Sequence, residues 1–389
     1  MRSVVTLCML KRLSESLPNS TTRVVMKDSG VARFGVFSAS TNTATKSDLM
    51  ETVEPDKGHA HSLVGRDFLS LNHFKSEDIK QFLWTAKDLK TRIKDNGEIF
   101  QPLVGKSAAL VFQKRSTRTR LSAEMGMTKL GGSACFLGPD DIHLGVNESV
   151  KDSARVLTSM ADVIVARVHG QEVLDELANE ARIPVISGLS DFLHPLQILA
   201  DFMTLQEHFG YLRGLKIAWI GDGNNVLHSL LYGCAKIGID LNVATPAGYE
   251  PDATVTNDAL KLAGKTGASF RIGNDPRQAA YRADVIVTDT WVSLGQEQEK
   301  QKRLKDFAGF QINRKMLKEA GGSWVFLHCL PRKKEEVTDD IFYGEESLVW
   351  QEAENRMWTL MVSFSCDVRQ NDIQDNRSSC NQDQRRTIT

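Results

Sequence analysis

Between residues 107 and 131 the chain gathers the groups that an oxyanion needs. Ser107-Ala-Ala-Leu-Val-Phe112 is an apolar run that reads as a buried strand. Leu121, Met125 and Leu130 then begin a helical pattern that stops at Gly131-Gly132. Ser116-Thr-Arg-Thr-Arg120 therefore falls on a strand-to-helix turn, where unpaired backbone N–H groups and the positive end of the helix dipole favour an anion. Hydroxyls at Ser116, Thr117 and Thr119 add donors, and Lys114, Arg118 and Arg120 add charge. Cations oppose the dipole at this end of a helix, so three of them make little sense without an anion. Guanidinium forks suit phosphate in particular. The bland alternative is a capped helix with a solvated basic first turn.

Other groups stand at similar places. His194 and Gln197 are three apart at the start of a long apolar helix, Leu196 to Phe209, so both can face one ligand. Asn225, Asp289 and Ser293 lie at or beyond the carboxyl ends of strands. An amide for a carboxylate, and a carboxylate with a hydroxyl for an ammonium, suit an α-amino acid head group. Each of these residues taken singly also reads as a cap or a turn. Cys329 follows an apolar strand, with His328 before it and Pro331 after it; alone it could be a small buried hydrophobe. Gly221-x-Gly223 after a strand invites a dinucleotide reading. The third glycine would fall at Val226, and the strand Leu241–Ala244 does not end in the acidic residue that holds a ribose.

These residues are spaced by alternating strands and helices. Short strands at Cys135–Leu137, Val163–Ala166 and Pro184–Ser187 are separated by helices at Val150–Met160 and Glu172–Arg182. After the Leu196 helix the alternation repeats, with strands at Leu215–Ile220, Leu241–Ala244, Val285–Val287 and Trp324–Leu327. The expectation is an α/β protein: two domains, each with a central parallel sheet flanked by helices, joined by the long helix. Ligands in such sheets bind outside the carboxyl ends of the strands, which points to the cleft between the halves.

With 389 residues and 25% of them charged, the chain is long enough for two cores. A formal charge of -1 gives no global pull toward nucleic acid or anionic membrane. Six scattered cysteines without a C-x-x-C pair speak against a zinc ribbon or a disulfide framework. No apolar run approaches the ~20 residues that span a bilayer. Residues 1–47 carry seven Lys or Arg against Glu15 and Asp28, with abundant Ser and Thr. That is the composition of a mitochondrial transit peptide, removed before His61. Beyond Val368 a polar stretch lacks the apolar content to fold.

The segment Lys114-Arg-Ser-Thr-Arg-Thr-Arg120 resembles the carbamoyl-phosphate signature of the aspartate/ornithine carbamoyltransferase family. Asp141-Ile-His-Leu-Gly145, His194-Pro-Leu-Gln197, Gly221-Asp-Gly-Asn-Asn225, Asp289-Thr-Trp-Val-Ser-Leu-Gly295 and His328-Cys-Leu-Pro331 tighten the likeness toward the ornithine enzymes of that family. It runs from about Gly65 to Thr359 with every motif in the family's order. Gln113 departs from the family's usual Glu, and Leu294 from its usual Met.

The resemblance implies carbamoyl transfer from carbamoyl phosphate to the δ-amine of L-ornithine, giving citrulline and phosphate without metal or organic cofactor. It allots residues 1–57 to the transit peptide and linker, 58–208 to carbamoyl phosphate, 209–345 to ornithine, 346–368 to a return helix on the first domain and 369–389 to a tail. Ser116, Thr117, Arg118 and Thr119 would bind carbamoyl phosphate, with Cys329, Leu330 and Arg356. Arg167, His194 and Gln197 would meet the carbamoyl group, and His143 would reach a site in the neighbouring subunit. Asn225, Asp289, Ser293 and Leu294 would hold ornithine, with the loop at Ser293-Leu-Gly295 closing after binding. Arg118, Arg167, His194, Asp289 and Cys329 would carry the catalysis, Cys329 beside the attacking amine. A homotrimer in the mitochondrial matrix, serving the urea cycle or arginine biosynthesis, is also implied. The alternatives are a carbamoyltransferase for another amine or amino acid and an inactive relative that acts as a binding protein.

Overall fold

The computed structural model describes residues 63–367, apart from 64, 143, 146, 293–296 and 321–322. The basic N-terminal segment, His143, Ser293, Leu294 and the tail from 369 lie outside the described residues.

One sheet contains β1 (Ser107–Phe112), β2 (Ser133–Leu137), β3 (Val163–Arg167) and β4 (Val185–Leu189), ordered β2-β1-β3-β4 and all parallel. The second contains β5 (Lys216–Ile220), β6 (Asp240–Ala244), β7 (Phe270–Gly273), β8 (Val285–Thr288) and β9 (Val325–His328), ordered β7-β6-β5-β8-β9, again all parallel. The inner strands β1, β3, β5 and β8 are covered on both faces, which is why they read as continuous apolar runs. Strand β7 escaped the sequence reading because it is an edge strand whose last three residues are exposed.

Five helices accompany the first sheet: α1 (Ser76–Lys90), α2 (Thr117–Lys129), α3 (Val150–Met160), α4 (Gln171–Glu180) and the connector α5 (Pro195–Phe209). The second half carries α6 (Asn225–Ile237), α7 (Ala253–Thr266), the short α8 (Pro276–Ala280), α9 (Lys300–Asp306) and α10 (Asp339–Phe342). The chain then returns through α11 (Val349–Asp367). Pro195 through Leu205 of α5 are all buried, because α1, α6 and α11 pack around it. Among the described residues no helix is long and apolar enough to cross a membrane.

In the first sheet the chain passes from β1 to β2 on one side and returns to β3 on the other, so the order reverses between β1 and β3. The second sheet reverses between β5 and β8. Crevices open outside the carboxyl ends of strands at such switch points. Gly223 at the second crevice has a packing role: a Cβ there would meet the backbone of Glu250 and Pro251 at 2.4 Å. That close approach accounts for the Gly-x-Gly without a dinucleotide.

Helix α11 packs on α1, α2 and α5. Gly126 of α2 permits the approach, since a Cβ there would lie 2.9 Å from Met361 Cγ. Trp358, Leu360, Met361, Val362 and Phe364 are all buried. At about 2 kcal/mol for each large apolar side chain, losing them rivals the whole stability of a typical domain. Truncation after Asn355 is therefore expected to abolish the cooperative thermal transition, whereas truncation after Arg369 keeps every one of these contacts. A cooperative melt from the shorter chain would contradict this.

Candidate active site

Carboxyl ends from both sheets open into one cavity of about 1080 Å³. On the first-sheet side, Ser116 caps α2, its Oγ accepting the N–H of Thr119 at 3.2 Å. Thr117 lies exposed on the turn beside it. Arg118 reaches across to the second half and donates from Nη2 to the Leu330 carbonyl at 2.5 Å. Leu330 has φ 62, and this left-handed turn presents its carbonyl to the guanidinium. Arg167 is the last residue of β3 rather than the residue after it. His194 stands at the start of α5, its backbone N–H on Ser229 Oγ at 2.8 Å. Arg356 arrives from α11 and donates to Thr119 Oγ1 at 2.8 Å and to Gln197 Oε1 at 3.1 Å.

Buried polar atoms converge here. Arg118 Nε, Arg167 Nε and His194 Nδ1 have no hydrogen-bond partner among the described residues. A buried donor left so costs about 1–3 kcal/mol, which an anion with several oxygens would recover. Burial first, and then the charges of Arg167 and Arg118, pull Arg356 down to about 10. Burial also brings Arg167 down to about 10, with Arg118's charge contributing. Both stay cationic at neutral pH, so three guanidiniums repel one another around the same space.

Burial, then Arg356, Arg167 and Arg118, push His194 well below the usual imidazole range, so it is neutral at pH 7. The folded side chain cannot take a proton near pH 6.5, whereas the unfolded one can. The stability it contributes is present above that pH and is lost as pH falls. His228, lowered by burial, acts in the same direction. His194→Gln is expected to flatten the acid loss of stability by up to about 1.4 kcal/mol per pH unit between roughly pH 7 and 5. Chemical unfolding at both values checks this, and an unchanged slope would contradict it.

Some residues of the basic turn and the helix start are turned away from the cavity, screened from it or already paired. Arg120 turns away, donating to Glu124 at 2.9 Å and lying over the Phe136 ring. Lys114 lines the cavity but is paired with Asp191. Thr119 and Gln197 sit behind Arg356, both buried. Gln113 uses its amide: Oε1 accepts the His169 N–H at 2.9 Å and Nε2 donates to the Leu144 carbonyl at 3.3 Å. The family's Glu could make the first bond but not the second.

Across the cavity, Asp289 follows β8 and Cys329 follows β9. The Cys329 thiol donates to Asp289 Oδ1 at 2.7 Å. Burial first, and then the Asp289 charge, push that thiol well above its ordinary range, so it is a neutral donor rather than a thiolate. Asp289 Oδ2 accepts from Asn224 Nδ2 at 2.7 Å. The sequence reading quotes Asn224 within the Gly221–Asn225 motif but gives the ligand role to its neighbour Asn225. Asn224 caps α6, its Oδ1 accepting from Val226 and Leu227, and turns its Nδ2 to Asp289. Asn225 lines the cavity and ties the halves together, donating to the Ser190 carbonyl at 2.6 Å.

His328 steadies the turn that carries Cys329. Its Nδ1 accepts the Leu330 N–H at 2.9 Å, so Nε2 holds the ring hydrogen and donates to Glu336 at 3.1 Å. Asp289, His328 and Cys329 bring ligand-type atoms within 4.8 Å of one another, but both His328 nitrogens are already engaged. Asp222 is paired with Arg303 at 3.0 Å, and burial raises its carboxyl to about 6.

An anion-suited wall thus faces a carboxylate and thiol across a two-part cleft. Comparisons with known proteins agree with that division. Residues 66–207 match the carbamoyl-P binding domain of aspartate/ornithine carbamoyltransferase, and residues 213–364 match its Asp/Orn binding domain. Mitochondrial ornithine carbamoyltransferase of Aquarana catesbeiana is 58% identical over 299 residues, covering 77% of this chain and 85% of that protein. Mitochondrial ornithine transcarbamylase of Gallus gallus is 56% identical over 300 residues, with the same coverage. Among solved structures, ornithine carbamoyltransferase from Pyrococcus furiosus superposes with a TM-score of 0.77 at 45% identity, covering 79% of this chain and 98% of that one. With both halves matched, in order and across nearly all of the described residues, the chain belongs to the aspartate/ornithine carbamoyltransferase family.

Proposed function

We propose that the protein transfers the carbamoyl group of carbamoyl phosphate to the δ-amine of L-ornithine, releasing L-citrulline and phosphate. The observation that carries this is the convergence of Arg118, Arg167 and Arg356 opposite the Asp289–Cys329 pair in one cavity. The three arginines, with Ser116, Thr117 and the end of α2, hold the phosphate, relieving their mutual repulsion. Thr119 and Gln197 act through Arg356. Arg167 and the neutral His194 donate to the carbamoyl oxygen as it gains charge in the tetrahedral intermediate. Carbamoyl phosphate already carries a good leaving group, so orientation and charge placement suffice.

The amine is cationic in water, with a pKa of about 10, and must lose a proton before it attacks. Asp289 is the candidate acceptor, since Cys329 is held as a thiol with its hydrogen on that carboxylate. Asn225 and Asp289 hold the amino acid head group, together with Ser293 and Leu294 of a loop that closes. The domain boundaries given above follow the same division of labour.

The mitochondrial relatives and the basic N-terminal composition support import into the matrix. A homotrimer, with His143 entering a neighbouring site, and service to the urea cycle or arginine biosynthesis belong to the same reading. Turnover of ornithine, putrescine and aspartate compared side by side tests the substrate. Ornithine should exceed the others by at least about 10³-fold, because buried head-group partners are left unpaired by putrescine. Equal use of putrescine would show that the head group is not recognised.

A further inference from the structure

Glu352 stands behind the cavity wall where the two subsites meet. It lies in the first turn of α11, 2% exposed, and each of its oxygens serves a different side. Oε1 accepts from Gln197 Nε2 at 2.6 Å, and Gln197 Oε1 accepts from Arg356, which also holds Thr119. Oε2 accepts the backbone N–H of His328 at 2.9 Å, one residue before Cys329. Gln197 Nε2 also donates to Asp201 Oδ1 at 2.8 Å, and Asp201 is likewise buried and hydrogen-bonded to Glu352.

We propose that Glu352 is a positioning residue that couples the two subsites, setting Gln197 and Arg356 on the carbamoyl phosphate side and the backbone ahead of Cys329 on the amine side. This rests on the two-substrate reading above. Two buried carboxyls in contact hold one proton between them, because neither site can keep both charges out of water. Burial raises Asp201 to about 7, and burial together with the Asp201 charge raises Glu352 well above its usual range. Arg356 from α11, Asp289 beyond β8 and the Cys329 thiol beyond β9 are the other ionisable groups facing this pair.

The hydrogen-bond inventory gives sharply different expectations for two near-isosteric variants. Glu352 accepts on both oxygens. Glu352→Gln keeps the volume but turns one acceptor into a donor, which then faces the N–H of either Gln197 or His328. One side of the link must let go. Asp201→Asn is different, since its Oδ1 still accepts from Gln197 and its new N–H faces Glu352, which then gives up the shared proton and accepts in its place. Both Glu352 oxygens remain acceptors.

The test uses the purified full chain and L-norvaline, an ornithine analogue without the δ-amine, titrated calorimetrically with and without saturating carbamoyl phosphate. The ratio of the two dissociation constants is the coupling, expected to be roughly ten-fold or more in the parent chain and in Asp201→Asn. In Glu352→Gln the ratio should fall toward one. If that variant does not fold, Gln197→Met cuts the same link one residue along and should lose the ratio too. A parent ratio of one, a parent-like ratio in Glu352→Gln or Gln197→Met, or equal loss in Asp201→Asn would each overturn the proposal. Failure of the parent to bind either ligand is a separate result, and would sink the two-substrate reading itself.

Discussion

Arg118→Ala is expected to lower kcat/KM for carbamoyl phosphate by about 10³-fold, while the melting temperature hardly moves. Arg118 is only half-buried, and among the described residues its one hydrogen bond goes to the Leu330 carbonyl. Its Nε makes no bond among the described residues. Removing such a side chain costs the fold little, because no packed core is opened. What is lost is a forked cation preset where phosphate charge gathers, with Arg167 and Arg356 unable to take its place. Arg118→Lys should recover little of the activity, since a point charge on a flexible stem cannot reproduce the fork. Steady-state kinetics and a thermal melt on the same preparations decide the matter. Normal turnover by Arg118→Ala would mean that the turn is only a solvated basic cap.

Asp289→Asn should act on the other ligand. Asp289 accepts from the Cys329 thiol and from Asn224, both as donors. An asparagine there presents its own N–H to one of them and removes the negative charge that an ammonium needs. Neutralising one partner of a buried charge contact costs several kcal/mol, so ornithine affinity is expected to fall about 100-fold or more. Carbamoyl phosphate binds against the arginine wall and should be nearly indifferent. Calorimetry with each ligand separately distinguishes these effects, and equal losses would contradict the division of the cleft.

Much of this arrangement is legible in the chain because its signals are local. The turn at Ser116 announces itself through hydroxyls and misplaced cations next to an apolar strand. The inner strands run apolar throughout because both faces are covered. Arg118, Arg167 and His194 lie at element ends, where the alternation alone points. Residues whose partners are distant in sequence stayed hidden. Glu352 reads as an ordinary acid in a helix's first turn, and its partner Gln197 is 155 residues away. Asp201, four residues from Gln197 along a helix, looks like a solvated polar residue until α11 covers it. Spacing could not rank Asn224 against Asn225, since adjacent asparagines before a helix both suit a cap. It also could not tell that Gln197 would be screened by Arg356, or that Arg120 would be drawn off by Glu124 and Phe136.

The central claim is that two subsites on one cleft join a carbamoyl group to an amino acid amine. The most direct test follows citrulline and phosphate together, using the purified chain with carbamoyl phosphate and L-ornithine. The expected result is one citrulline for each phosphate released, with no release above background when ornithine is left out. Phosphate appearing without citrulline, or no turnover with both substrates present, would contradict it.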